Sequence, residues 1–417
     1  MRPQNHTLDS QQVHRAAAEH LQAHLKFTDY KRKTSARTLW SLLLAAAARI
    51  TSLSDACGRL GDAPSDETAR KALLATLPDY AELQRRLNAA LAGHLPKALR
   101  RRLQDLAIDL TLIPYHGKPF GDPAEVYRAQ AKDGTSHFHA YATAYVVRKG
   151  QRYTVALTGV AKGEPLKEVV RRLLRQAASV GVRPRLLLLD RGFYSVAVVR
   201  YLQAARVPFL MPVVCHGHSP KHPKGPTGSY VFRTWKTSGW STYTLSDAKK
   251  RTATVSICVK CRNYRGQWNR RGRQALIYAY WGYRPPSPDA VFTRYRLRFG
   301  IETSYRQMHE GRIRTTTRRP AVRLLYVGIA LVLRNLWVWL HYTLLSQPRR
   351  GGRVILLERL RWETVLLWLL HVVEEEFGVA DVTYTERDVK YELAMLPTAG
   401  SSLELLSFAR SISVAAA

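Results

Sequence analysis

The chain has 417 residues, with 65 lysines and arginines against 31 aspartates and glutamates, a formal charge of +34. Its length and its 46% hydrophobic content support a large buried core and more than one domain, which excludes a disordered or fibrous chain. Four cysteines exclude a disulfide framework and suit a reducing cytoplasm, and so much positive charge calls for a polyanionic partner, nucleic acid before an acidic membrane surface.

The first residues contain no apolar run of the kind a secretory signal needs. Residues 1–100 read as helical and, with the basic cluster Lys31–Lys33, as a DNA-binding region of helix-turn-helix type or a plain helical bundle. Leu39–Ile50 is a strong helix-forming run, Thr51 to Asp55 offers an N-cap, and Ser65 opens a further helix through Leu77.

Residues 101–214 have a different texture. Leu106–Ile113 is strand-like with one carboxylate, Asp109, inside it. His137–Arg148 and Arg152–Gly159 read as hairpin strands, Glu164–Val180 as an amphipathic helix and Arg185–Leu189 as a wholly apolar strand. That strand runs into Asp190, at the place where open α/β sheets keep functional groups. A helix over Ser195–Ala205 and a strand over Pro208–Val214 follow. The pattern predicts a mixed α/β sheet with at least one crossover.

Residues 215–287 read as a β-rich insertion, with strand-type runs at Tyr230–Thr234, Ser241–Leu245, Thr252–Cys261 and Gln274–Tyr280. Residues 288–345 return to helix and carry the last part of the core. Val322–Leu345 is long and apolar enough to test as a membrane span, but its Arg323 and Arg334 favour a buried core helix. Residues 346–417 read as a C-terminal helical region, with a helix over Leu357–Phe377.

Tyr295, Arg298, Glu302 and Arg306 are spaced 3, 4 and 4 residues apart. On one helix they fall within about 80° of one another. Such a face combines a metal-holding carboxylate with guanidiniums suited to phosphate; taken alone it also reads as a solvated, salt-bridged face. With Asp109 and Asp190 it makes three carboxylates, a set able to hold two Mg²⁺ ions for phosphodiester chemistry.

These residues resemble an insertion-sequence DDE transposase with an RNase H-like catalytic core. Asp109 in IDLTLIPYHG resembles the first acid, Asp190 in LLLLDRGFY the second, and Glu302 the third, within the signature Tyr-x2-Arg-x3-Glu formed by Tyr295, Arg298 and Glu302. A β-rich insertion between the second and third acids is expected of this branch. The resemblance covers roughly residues 100–345. It implies that Asp109, Asp190 and Glu302 are catalytic and hold Mg²⁺, with Mn²⁺ as a substitute, and that Tyr295, Arg298 and Arg306 serve DNA. It implies cutting and joining at the terminal inverted repeats of the element and at target DNA, by a homodimer on double-stranded DNA in the cytoplasm, at the nucleoid. The best-known signature ends in Lys seven residues after the Glu, where this chain has His309, so the phosphate contact passes to Arg306.

Arg191, beside Asp190, is a further candidate for phosphate. Trp235 and Trp240, near a loop-like Thr-Ser-Gly, are candidates for base stacking, although tryptophans there also suit the insertion's own core. Cys215, His218, Cys258 and Cys261 include a C-x2-C, but residues three apart on a strand face opposite ways, so zinc is not expected. Two rivals stay open: a metal-dependent nuclease or resolvase on the same core, and a transposase-derived DNA-binding protein without catalysis.

Overall fold

The computed structural model describes residues 8–148, 150–266, 271–350 and 352–380. The chain opens with six helices: α1 (Ser10–Leu25), α2 (Ala36–Ala48), α3 (Leu53–Gly58), α4 (Asp66–Thr76), α5 (Tyr80–Gly93) and α6 (Lys97–Arg101). Side chains set their starts: Asp9 and Gln12 form a capping box on α1, and Ser35, Ser52, Ser65 and Asp79 cap α2 to α5. α2 is buried at ten of its thirteen positions and is a core helix, not one free to enter a DNA groove. The basic turn at Lys31, Arg32 and Lys33 is exposed.

The first half of the central sheet is made by β1 (Gln104–Pro114), β2 (Tyr127–Lys132), β3 (Thr135–Val146), β4 (Thr154–Val160), β5 (Pro184–Leu189) and β6 (Phe209–Pro212). Between β4 and β5 lies α7 (Leu166–Ser179), and between β5 and β6 lies α8 (Val196–Ala204). α7 buries Val169, Val170, Leu173, Leu174 and Ala177, the apolar stripe of an amphipathic helix. β3 lies antiparallel to β1 and takes both β2 and β4 on its other edge. β1, β5 and β6 run parallel. β5 is buried along Leu186–Leu189, as a continuous apolar run between helical layers must be. This is the mixed α/β sheet of an RNase H-like core.

The segment after β6 does not stand apart. β7 (Gly239–Ser246), β8 (Thr252–Arg265) and β9 (Arg271–Trp281) continue the same sheet, because β9 pairs antiparallel with β6 from Phe209↔Trp281 onwards. The run Tyr230–Thr234, expected as a strand, lies instead in a 3-10 turn spanning Gly228–Thr234. Its β-type composition was outweighed by tertiary packing, Phe232 lying against Trp235 and Tyr243.

α9 (Pro288–Arg296), α10 (Gly300–Glu310) and α11 (Pro320–Leu340) follow. The expected continuous helix over the signature residues is broken by a 3-10 turn at Leu297–Phe299. α11 is the long apolar helix; 94% of its most apolar window lies inside the protein. Its Asn335 is tied to Leu91 and Thr154 backbone atoms, and its Arg334 to the Arg152 carbonyl, which settles it as a core helix. Beyond it the region read as helical begins with a hairpin, β10 (Gln347–Arg349) and β11 (Gly352–Val354), before α12 (Trp362–Phe377). α12 packs across α1 and α2. The expected helical character of residues 381–417, and Trp268 of the insertion, lie outside the described residues.

Candidate active site

Parallel register brings the first two acids together. Ile108 pairs with Leu189, so the next residues, Asp109 on β1 and Asp190 just past the end of β5, lie side by side, about 5 Å apart in the backbone. Asp190 occupies the N-cap position of a short 3-10 turn, yet its side chain makes no capping bond. The ordinary reason for an Asp at a strand end is therefore missing, and the carboxylate turns to Arg298, 3.4 Å away.

Glu302 arrives from the other side of the chain. Tyr305, one turn further along α10, donates to the Asp109 carbonyl at 2.8 Å and lies 2.8 Å from the Thr143 hydroxyl on β3. This staple lays α10 across β1 and β3 beside Asp109. α9 is fixed by a second set of ion pairs, in which buried Asp105 on β1 binds Arg185 at 2.9 Å and Arg294 at 2.5 Å.

The centre of the site is one guanidinium. Arg298 Nη1 donates to Asp109 at 2.7 Å, and Nη2 lies 3.1 Å from Glu302 and 3.4 Å from Asp190. Its side chain is only 6% exposed, against 43% for Asp190 and 55% for Glu302. The rings of Tyr295 and Phe299 flank it at 5.6 and 5.4 Å. Burial works against its charge, but Tyr295 and the three carboxylates outweigh that and hold its pKa above the ordinary value. Asp109 goes the other way. Burial lifts its carboxyl to about 6, against the pull of Arg298 and of the Leu110 amide, and the Asp190 charge adds to the lift.

The transposase DDE domain family matches residues 100–336, more than half of the chain. The chain belongs to that family. No curated protein matches it.

In this DDE-domain transposase the signature residues divide between the interior and the surface. Tyr295 and Arg298, expected to meet DNA, are buried at 5% exposure each, Tyr295 against Tyr278 of β9. Spacing placed them on one face with Glu302 and Arg306, but these two turn inward and form the wall and the hub of the acid cluster. Arg306 is 73% exposed, and Glu310 lies 4.0 Å from it. Arg191 is exposed beside Asp190. His309 cannot stand in for a lysine near neutral pH, because burial and the nearby Arg312, Arg314 and Lys132 push it down to about 4. Trp240 is 42% exposed and meets Tyr280 edge-on, while Trp235 is half-buried and its carbonyl accepts from Cys261.

Three carboxylates are the hard oxygen donors a divalent magnesium-type ion takes, and their grip on a buried guanidinium shows that this spot draws positive charge. With Arg298 between them, no three carboxyl, imidazole or thiol groups among the described residues lie close enough to hold an ion. That includes the cysteine set: Cys258 is buried, with its thiol pushed up to about 12, and Cys261 is spent on the Trp235 carbonyl. The residues sequence reasoning missed are Tyr305 and the Asp105, Arg185 and Arg294 group. The only signal for them was position: Tyr305 one helical turn after Glu302, Asp105 four residues before Asp109.

Proposed function

We propose that this protein is the transposase of an insertion sequence, cutting the ends of its element and joining them to target DNA. The observation that carries the reading is the meeting of Asp109, Asp190 and Glu302, from three separate elements, on one buried guanidinium. A merely structural charge cluster has no need of two half-exposed acids beside a buried one. Asp109, Asp190 and Glu302 are the residues that would hold Mg²⁺, or Mn²⁺ in its place, once Arg298 gives way; bound there, such ions would supply the charge stabilisation that in-line displacement at phosphorus requires.

The protein's own groups do the rest. Arg298 keeps the acids gathered and neutralised while no ion is bound. Exposed Arg306 and Arg191 flank the acids and hold the phosphodiester. Trp240, and less openly Trp235, offer a face on which an unpaired base stacks. Residues 1–100, with the exposed Lys31–Lys33 turn, supply further contact to the element's inverted repeats. A homodimer on double-stranded DNA, in the cytoplasm at the nucleoid, would bring two ends to one target.

The test is strand cleavage and joining on DNA carrying the element's ends, with Mg²⁺ and with EDTA, for wild type and for Asp109→Ala, Asp190→Ala and Glu302→Ala. The reading expects joined products that need metal and vanish in all three variants while DNA binding survives. Cleavage without joining would instead establish a nuclease or resolvase, and binding without cleavage a DNA-binding protein derived from a transposase.

A further inference from the structure

The loop from α10 to α11, residues 311–319, carries a second charged centre that the acid cluster does not use. Arg312 is 9% exposed, and its Nε is buried with no acceptor. No carboxylate pairs with it among the described residues. Its charged neighbours are Arg314 and Arg323, and with burial they push it down to about 10, against the pull of the Tyr141 phenol. Arg323, 5% exposed, donates to the Thr317 carbonyl at 2.6 Å and lies 4.5 Å over the Tyr115 ring, so the loop is wrapped around it. Lys132 adds positive charge on the same side, and together with burial and the arginines it keeps the nearby His309 imidazole neutral.

A buried guanidinium without a counter-charge is costly, of the order of several kcal/mol. Buried polar groups are satisfied in most native structures, so one left open calls for an explanation, and an anion that completes it is one. The place is informative too. Tyr141 pairs with Thr111 on β1, and Thr143 pairs with Asp109. Residues two apart share a face of a strand, so the arginines sit on the face that bears Asp109, about 7 Å further along β1.

We propose that Arg312, with Arg314 and Arg323 beside it, binds one backbone phosphate of DNA on the same sheet face as the catalytic acids. That the phosphate belongs to DNA rests on the transposase reading; that the site takes a phosphate does not. The clamp holds the strand a short step from the bond being cut, so that Arg306 and Arg191 are not alone in fixing its path.

The experiment uses the full chain without divalent metal. Wild type and Arg312→Met are melted in phosphate-free buffer and with added inorganic phosphate, and both are titrated with a labelled duplex across a salt series. Arg312→Met is expected to melt higher than wild type without phosphate, because it removes an unpaired buried charge. Phosphate should raise the melting temperature of wild type more than that of the variant. The slope of log K against log salt should shrink by about 0.9, one phosphate contact. Equal phosphate responses, an unchanged slope, or a variant that melts lower or fails to fold would each overturn the clamp. A wild type that takes phosphate through Arg312 but binds no duplex keeps the anion site and refutes the transposase reading.

Discussion

Asp109→Asn should make this protein more stable while removing one of its three acids. The Asp109 side chain is 17% exposed, and its pKa rises from 3.8 in the unfolded chain to about 6 in the fold. At about 1.4 kcal/mol per pH unit, ionised Asp109 costs the native state about 3 kcal/mol. The direction follows from proton binding. Between pH 4 and 6 the unfolded chain has released this proton and the folded chain has not, so native stability falls as pH rises and the full cost is present above pH 6. Asparagine never ionises and escapes it. Urea unfolding in metal-free buffer should place Asp109→Asn about 3 kcal/mol above wild type at pH 8 and about half that at pH 5. Carboxylates outside the cluster titrate alike in both proteins and cancel in the difference, while Asp190, whose charge opposes that of Asp109, ionises more easily in the variant and adds to the gap. A variant less stable than wild type at pH 8, or a gap that does not change with pH, would refute the argument. Adding Mg²⁺ should then stabilise wild type and not the variant.

Arg298→Met leaves three acids facing one another without their shared cation. Its cost should be about 3–5 kcal/mol at pH 8 and smaller at pH 5, where Asp109 takes up a proton, as read by the same unfolding curves. Tyr305→Phe breaks the staple between α10 and β1; a loss of about 1–2 kcal/mol is expected, with cleavage slowed and duplex affinity unchanged in a gel-shift assay. Asn335→Ala strands the Thr154 amide and carbonyl and the Leu91 carbonyl inside the core. That should cost about 3 kcal/mol or more by calorimetry without any change in salt-dependent DNA binding.

Much of the site was legible in the sequence because its acids break strong apolar runs. Asp109 interrupts LAIDLTLI and Asp190 ends LLLL, and buried parallel strands have few other ways to look. The spacing from Tyr295 to Arg306 gave a shared face but no direction for it. The turn at Leu297–Phe299 has no proline or N-terminal glycine to announce it; a close approach explains Gly300, where a Cβ would come within 2.8 Å of the Tyr145 hydroxyl. Local pattern also could not say that β9 would pair with β6, since strand partners are chosen by tertiary packing. Arg312 sits in GRIRTTTRR, a run that reads as a solvated loop until Tyr141 and Arg323 enclose it.

The packing of α12 across α1 and α2 bears on how the chain is made. Backbone bonds from Gly61 to Gly378, from Asp62 to Phe377 and from Ala380 to Arg59 fasten the early helices to residues near 380. About 340 residues separate the end of α1 at Leu25 from the start of α12 at Trp362, which at about 5–20 residues per second takes a ribosome roughly 20–70 s to synthesise. Throughout that interval α1 and α2 wait without the partner that covers them. The nascent chain therefore spends tens of seconds presenting apolar helices to its surroundings, and its yield in a cell depends on what shelters them until Phe377 emerges.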